Sequence, residues 1–467
     1  MRERREIMKT KWVRSTALFL AAAMMLMLAG CGEVSAESSV LPEWAEPDDG
    51  PGLSDLVETD KLVLYTSTAN VALDRRRVDM FKQHHDVDVE IIVIPTEEYE
   101  ERIINDLATG SGPDVLLLYE MYGTDINKAA LNQNFLDLTN VLAEDPDFNV
   151  DDYLPGVFEA CQYHGRQYVM PLSCEPSLVV SLKEKTEEIG FNWDHVDTMS
   201  EYLDVLAELS PKAAKDPNFK QMFHTKNVFV RFLQISGIPV IDYENGEVLP
   251  DEKGFREFLE AYKSYFPYDY DENDPTMWHR PFAYDVLTAG NCVFWFPGDM
   301  YGFPFTLYVL KEQGREYDIQ SIPGKTGGSV GTVAGPVAIS ANSKNSLNAY
   351  RYIKFMLSET IQKDQYGTPD ALPILKEALL ECLLEAPGGE GGPGGGAFFN
   401  YDIPALTEEE AERIMGLIES TSDYEMMISK PYYDMVYDTM LPFFKAEDSY
   451  KSCLEELRSK LTFYLSE

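Results

Sequence analysis

Lys61-Leu-Val-Leu-Tyr-Thr-Ser-Thr68 opens a series with Val87-Asp-Val-Glu-Ile-Ile-Val-Ile94 and Asp114-Val-Leu-Leu-Leu-Tyr119. Each run is rich in the apolar and β-branched residues that suit a pleated, buried surface. Between the first two, Val71 to about His84 carries Leu73, Met80 and Phe81 among its apolar positions. Between the second and third, Glu97 to Thr109 sets Tyr99, Ile103, Ile104 and Leu107 at helical spacing, and Gly110-Ser-Gly-Pro113 breaks it. Strand–helix–strand–helix–strand with apolar strands predicts parallel pairing covered on both faces, hence an α/β fold. Such sheets bind ligands beyond the carboxyl ends of their strands. Thr66, Ser67, Thr68, Tyr119, Glu120 and Tyr122 fall at those ends.

Upstream, the apolar run Ala17 to Gly30 follows Arg2, Arg4, Arg5, Lys9, Lys11 and Arg14, set against Glu3 and Glu6. A permanent span needs about 20 residues to cross a ~30 Å hydrocarbon core. This shorter run, basic in front and small-residued behind, predicts an export signal over residues 1–30. Cys31 directly after Leu28-Ala29-Gly30 is similar to a bacterial lipobox, whose thiol is acylated and becomes the new chain start. A secretory cut after Ser35-Ala36 is the other reading, and Met8 would serve as a start as well as Met1. Residues 31–56, with Glu43, Glu46, Pro47, Asp48, Asp49 and Pro51, read as an acidic flexible tether.

Of the 467 residues, 45% are hydrophobic and 12% aromatic, enough for sizeable cores. The 437 that follow the leader exceed what one core usually covers, so two lobes are expected. The whole chain carries 39 basic and 79 acidic residues, a net charge of −40; without the leader these become 33, 77 and −44. Such a field repels nucleic acid and other polyanions. Besides Cys31 there are Cys161, Cys174, Cys292, Cys382 and Cys453, an odd number without zinc-like spacing. They read as buried free thiols, with a Cys161–Cys174 bridge as the alternative.

Further along, Tyr202 to Leu209 reads as helix, and Phe255, Phe258, Leu259 and Tyr262 share a face of another. Pro387 to Ala397 holds seven glycines and reads as a mobile loop; it lacks the Gly-Lys-Ser/Thr ending of a phosphate cradle. Thr407-Glu-Glu-Glu410 is a capping box, and Leu454, Leu457, Leu461 and Tyr464 stripe a last helix.

Several segments together resemble the family 1 extracellular solute-binding proteins, the carbohydrate-capturing lipoproteins of ABC importers. They are Leu107 to Val115, Phe135-Leu-Asp-Leu-Thr139, Tyr163 to Pro171, Ala289 to Trp295 with Gly298 to Tyr301, Gly331 to Ser340, and Ala349 to Ser358. The resemblance implies a type II two-lobed α/β fold with a ligand cleft between lobes joined by several crossings. Lobe 1 would hold residues 57–172 and 336–370; lobe 2 would hold 176–330 and 371–467. Crossings would fall near Leu172–Glu175, Thr332–Gly335 and Gly367–Ala371.

A sugar site needs flat aromatic surfaces beside convergent amides, carboxylates or hydroxyls. The implied fold brings four such stretches to the cleft: Tyr65 to Thr68, Tyr119 to Tyr122, Ser173 to Glu175, and Trp295 to Tyr301. In the family a Trp commonly follows the Gly of the last turn. Here Asp299, Met300 and Tyr301 follow Gly298, and Tyr301 is the substitute. Lys430-Pro-Tyr432-Tyr433 is similar to a late cleft segment. The candidate ligand contacts are therefore Thr66, Ser67, Tyr119, Glu120, Tyr122, Glu175, Trp295, Asp299, Tyr301, Tyr432 and Tyr433; core packing is the competing reading for each aromatic, surface solvation for each acid.

There is no His-Glu-x-x-His metal helix, and His84-His85-Asp86 reads as an exposed turn. No metal and no cofactor are expected. The expectation is a monomeric, non-enzymatic receptor, lipid-anchored through Cys31 on the outer face of the cytoplasmic membrane. It would deliver an oligosaccharide or other carbohydrate to importer permease and ATPase subunits. An anchored glycoside-active enzyme and a receptor for a non-sugar solute such as a polyamine are the alternatives.

Overall fold

The computed structural model describes residues 50–215, 221–224, 226–271, 287–297, 302–364, 371–384 and 406–466, with the side chains of 302, 304, 305 and 308 excepted. The leader, Cys31, the glycine-rich stretch, Asp299 and Tyr301 lie outside the described residues. The described strands are β1 (Lys61–Ser67), β2 (Asp88–Ile94), β3 (Val115–Leu117), β4 (Gln162–Tyr163), β5 (Arg166–Gln167), β6 (Met170–Pro171), β7 (Ser173–Glu175) and β8 (Leu178–Leu182). They continue with β9 (Gln221–Phe223), β10 (Ile241–Asp242), β11 (Glu247–Val248), β12 (Cys292–Trp295), β13 (Tyr317–Ser321), β14 (Val330–Val333), β15 (Pro336–Ile339), β16 (Leu372–Pro373) and β17 (Asp423–Met426).

The opening series forms a five-stranded sheet in the order β2-β1-β3-β15-β6. β1 runs parallel to β2 from Lys61↔Asp88 to Ser67↔Ile94, and parallel to β3 at Leu64↔Val115. β15 is antiparallel to both β3 and β6. Helices Val71–His84 and Ser346–Met356 cover one face, where Phe81 meets Tyr352 edge-on at 5.2 Å. Helices Tyr99–Ala108 and Ile126–Leu131 cover the other through Tyr99, Ile103, Ile126 and Ala130.

Two local expectations change. The third strand stops at Leu117, and Leu118–Glu120 is a 3-10 turn. Leu117 pairs with Val337, so the next rung would meet Pro336, which has no N–H to extend the ladder. Residues 50–56, read as part of the tether, include a turn packed on the first body. Leu53 N donates to Glu144 Oε2 at 2.8 Å, and Leu56 joins the core. Their leucines bury apolar surface, which favours packing over solvation.

A second sheet, β13-β8-β12-β9, is built on the wholly buried β8. Helices Met199–Ala213, Glu252–Asp269, Lys430–Phe444 and Tyr450–Ser466 pack on one face in a core crowded with aromatics. Leu307, Leu310, Ile414 and Ile418 pack on the other. The Thr407 box forms as read: Glu410 N donates to Thr407 Oγ1 at 3.3 Å, and Thr407 N to Glu410 Oε2 at 3.0 Å.

Between these bodies lies a third sheet, β16-β7-β14-β17. β7 follows β6 of the first sheet and precedes β8 of the second; β14 follows β13 and precedes β15. Short strands that pass from one body to the other therefore pair side by side. The protein is a two-lobed α/β molecule.

Cys161, Cys174, Cys292 and Cys453 are buried free thiols. Burial raises the Cys174 thiol to about 12 and also raises Cys161, which leaves both unreactive. No described helix is long and apolar enough to cross a membrane.

Candidate functional site

The carboxyl ends of β1 and β3 rest on a buried charged network. Thr66 Oγ1 donates to Asp74 Oδ2, and Arg77 Nη1 donates to Asp74 Oδ1 at 2.9 Å and to the Tyr119 hydroxyl at 2.8 Å. Burial works against the Arg77 charge, but Tyr119 and Asp74 outweigh it and hold the guanidinium protonated. The hydroxyls of Thr66 and Tyr119 are thus engaged beneath the strand ends, where they fix the floor of the site.

Above that floor, the Ser67 N–H donates to Glu120 Oε2 at 3.2 Å. Glu120 is 8% exposed, and its Oε1 has no hydrogen-bond partner among the described residues. Burial raises its pKa, the Ser67 hydrogen bond opposes the rise, and the nearby Asp74 charge adds to it. Tyr122 is exposed, and its backbone carbonyl accepts from Lys430 N at 2.9 Å.

The third sheet carries a second set of polar groups. Thr332 on β14 pairs with Glu175 on β7 and with Glu425 on β17. Directly paired residues share a face, so Glu175, Thr332 and Glu425 form one row. Helix Phe229–Ile235 packs against β14 and places Arg231 on Glu175 Oε2 at 2.5 Å. The Arg231 guanidinium also lies 5.7 Å from the Phe296 ring, and its Nε lacks a partner among the described residues. Thr332 Oγ1 is buried without a partner as well. Glu425 is half-buried, and its side chain makes no hydrogen bond or ion pair among the described residues. Burial and then Asp423 raise it to about 7, against the pull of Lys325.

The aromatic candidates divide. Trp295 is buried in the core, 6.5 Å from Phe303. Its neighbour Phe296 stacks on Phe223 at 4.8 Å and turns toward Arg231. Tyr432 is buried beside Tyr464, with Glu425 and Asp125 among the charges acting on it. Tyr433 packs against Phe229 and Tyr437 in the second body's core.

Beside this region a polar clasp ties the bodies together. Asp125 Oδ2 accepts from Tyr243 at 2.7 Å and from Tyr464 at 2.5 Å, while its Oδ1 caps helix Ile126–Leu131. Lys128 Nζ donates to the Tyr464 carbonyl at 2.6 Å and lies 4.4 Å from that ring.

Arg231, Thr332, Glu425 and Asp125 did not emerge as site residues from the sequence. Arg231 left a trace: a charge inside the apolar run Phe229-Val-Arg-Phe-Leu-Gln-Ile235 requires a buried partner. The others depend on strand pairing, which local pattern does not reveal. Among the described residues no cluster of three or more His, Cys, Asp or Glu could hold a metal ion. The site can therefore bind through carboxylates, an arginine, hydroxyls and ring faces.

The sequence profile described as bacterial extracellular solute-binding protein matches residues 63–363. No curated protein matches the chain. Among solved structures, the sugar-binding protein MalE of Xanthomonas citri is similar at TM-score 0.62 and 16% identity, over 87% of this chain and 97% of that one. The GacH receptor of Streptomyces glaucescens, solved unliganded and with acarbose, gives 0.56 and 15% over 87% and 98%. The substrate-binding protein Lmo0181 of Listeria monocytogenes, in complex with cycloalternan, gives 0.55 and 17% over 87% and 99%. At these identities the neighbours share the fold. The profile match covers more than half of the chain and contains both its first sheet and its β7–β14 crossings: the protein belongs to the bacterial extracellular solute-binding proteins.

Proposed function

We propose that this protein is the lipid-anchored receptor of an ABC importer and captures a carbohydrate, most simply an oligosaccharide, between its lobes. The observation that carries this reading is the row Glu175, Thr332 and Glu425 on the sheet whose strands pass between the bodies, with Arg231 on Glu175 and Phe296 beside that guanidinium. Carboxylates, hydroxyls and a ring face together suit a polyhydroxylated ring. Ligand bridging both bodies would favour the closed state, which permease and ATPase subunits would read. Lobe 1 comprises 57–172 and 336–370, and lobe 2 comprises 176–330 and 371–467. The remaining contacts proposed are Ser67, Glu120, Tyr122, Asp299, Tyr301 and Tyr432, with Thr66 and Tyr119 acting through the floor and Trp295 and Tyr433 through the cores they pack in. Cys31 is the acylated residue, and the receptor works as a monomer outside the membrane without turning over its ligand.

Calorimetric titration against a panel of oligosaccharides tests the reading. Saturable binding with one site per chain and unchanged recovered sugar is expected. Cleavage of a glycoside without stoichiometric binding would overturn it.

A further inference from the structure

We infer that Asp125 and the last turn of helix Tyr450–Ser466 form a latch that fastens the two bodies in the orientation seen here. Solute enters only after its release, a consequence that rests on the reading of the protein as a solute receptor. Asp125 divides its carboxylate between the bodies. Its Oδ1 accepts from Asn127 N at 3.0 Å and Lys128 N at 3.3 Å, which fixes it to helix Ile126–Leu131 of the first body. Its Oδ2 accepts the hydroxyls of Tyr243 and Tyr464, whose side chains pack against the core of the second. Lys128, on the same helix, donates to the Tyr464 carbonyl, so the side chain and main chain of one residue are both held. A cation there also suits the negative end of helix Tyr450–Ser466.

Further bonds extend the latch. His164 and Gly165, at φ 51° and 72°, form the tip of the hairpin β4–β5 in the first body. His164 N donates to Glu244 Oε1 at 2.6 Å, in the turn that joins β10 to β11 of the second. Tyr163 donates to Asn127 Oδ1 at 3.0 Å, which braces the first hairpin against helix Ile126–Leu131. Lys430 N, at the start of helix Lys430–Phe444, donates to the Tyr122 carbonyl at 2.9 Å.

None of these residues lies on β7, β14, β16 or β17, so the latch is separate from the strands that pass between the bodies. Turning one body about those strands displaces every group off that axis. An apolar contact, being non-directional, would tolerate the sliding. Hydrogen bonds weaken steeply when stretched or bent, so these are made in one orientation and lost together. Each joins protein to protein and therefore favours that orientation whatever solute occupies the site. A receptor so held binds with an apparent affinity scaled by the fraction in the competent orientation.

Small-angle scattering on the full chain without sugar, with hydrogen exchange at the His164 and Lys430 amides, tests the latch. In Tyr243→Phe/Tyr464→Phe the radius of gyration should rise, and protection of both amides should fall by at least about tenfold. Amides of β1 and β8 should keep their protection, because release separates the bodies without unfolding either. Asn caps a helix as well as Asp does, so Asp125→Asn keeps helix Ile126–Leu131 and weakens only the grip on the tyrosines. It should shift both readouts the same way, and it carries the test if the double variant does not fold. A scattering curve that stays with that of the wild type would overturn the latch, whatever the amides do. Neither readout involves a sugar. Failure of the wild type to bind any oligosaccharide would overturn the receptor reading and leave the latch standing.

Discussion

Arg231 donates to Glu175 Oε2 at 2.5 Å, so a helix of the second body is ionically fastened to the first strand that crosses between the bodies. The guanidinium is 7% exposed and also bonds the Pro176 carbonyl at 3.4 Å. Arg231→Ala removes the partner and leaves Glu175 beside an apolar void. A loss of about 1–3 kcal/mol in urea unfolding is expected, because removing the buried guanidinium leaves the partly exposed Glu175 carboxylate without its partner. In a double-mutant cycle, Glu175→Gln should cost much less once Arg231 is gone.

Asp125 gathers two hydroxyls, from Tyr243 and Tyr464, across the clasp. Tyr243→Phe and Tyr464→Phe should each lower stability by about 1.5–3 kcal/mol, the range for a hydrogen bond to a charged acceptor. With both removed, hydrogen exchange in the two bodies should cease to open together, since the clasp is one of their direct ties. Unchanged exchange in the double variant would show that the crossing sheet couples them alone.

Asp269 is fully buried, accepts from Tyr262 at 2.7 Å and Val228 N at 2.9 Å, and has no partner for Oδ1. Burial raises its pKa to about 7, while those hydrogen bonds act in the opposite direction. The folded state therefore binds this proton more tightly than the unfolded one. That contribution is present at acid pH and is lost as pH rises from the unfolded carboxylate range through about 7. The unfolding free energy from denaturant titration, wild type minus Asp269→Asn, should fall across that window by up to about 1.4 kcal/mol per pH unit.

Thr407 and Glu410 close the start of helix Glu408–Glu419 reciprocally. Thr407→Ala should cost about 1 kcal/mol, the usual worth of an N-cap, and Thr407→Ser almost nothing. The measurement is the thermal midpoint of the two variants.

Cys31→Ala is expected to release a folded receptor that binds ligand normally while uptake falls. Stable attachment takes more than one acyl chain at ~0.8 kcal/mol per buried CH₂, and tethering replaces affinity with effective concentration. Fractionation alongside calorimetry checks both halves. Loss of ligand binding together with the anchor would join what is here separated.

The residues alone settled the elements and the class. Three apolar runs separated by helix-period stretches are local patterns, and local pattern was enough to place β1, helix Val71–His84, the Thr407 box and the last helix within a residue or so. The order of the quoted segments was enough to point to the family. Tertiary structure decided which candidates share one face. Glu175, Thr332 and Glu425 are far apart in the chain and meet only because β7, β14 and β17 pair in one sheet. Thr66 and Tyr119 are placed at strand ends by sequence, yet their hydroxyls turn to Asp74 and Arg77, a buried charge that must be satisfied from within. Strand periodicity tells which residues alternate. Only the register of long-range pairing tells which of them converge, and long-range register is set by the global packing of both cores.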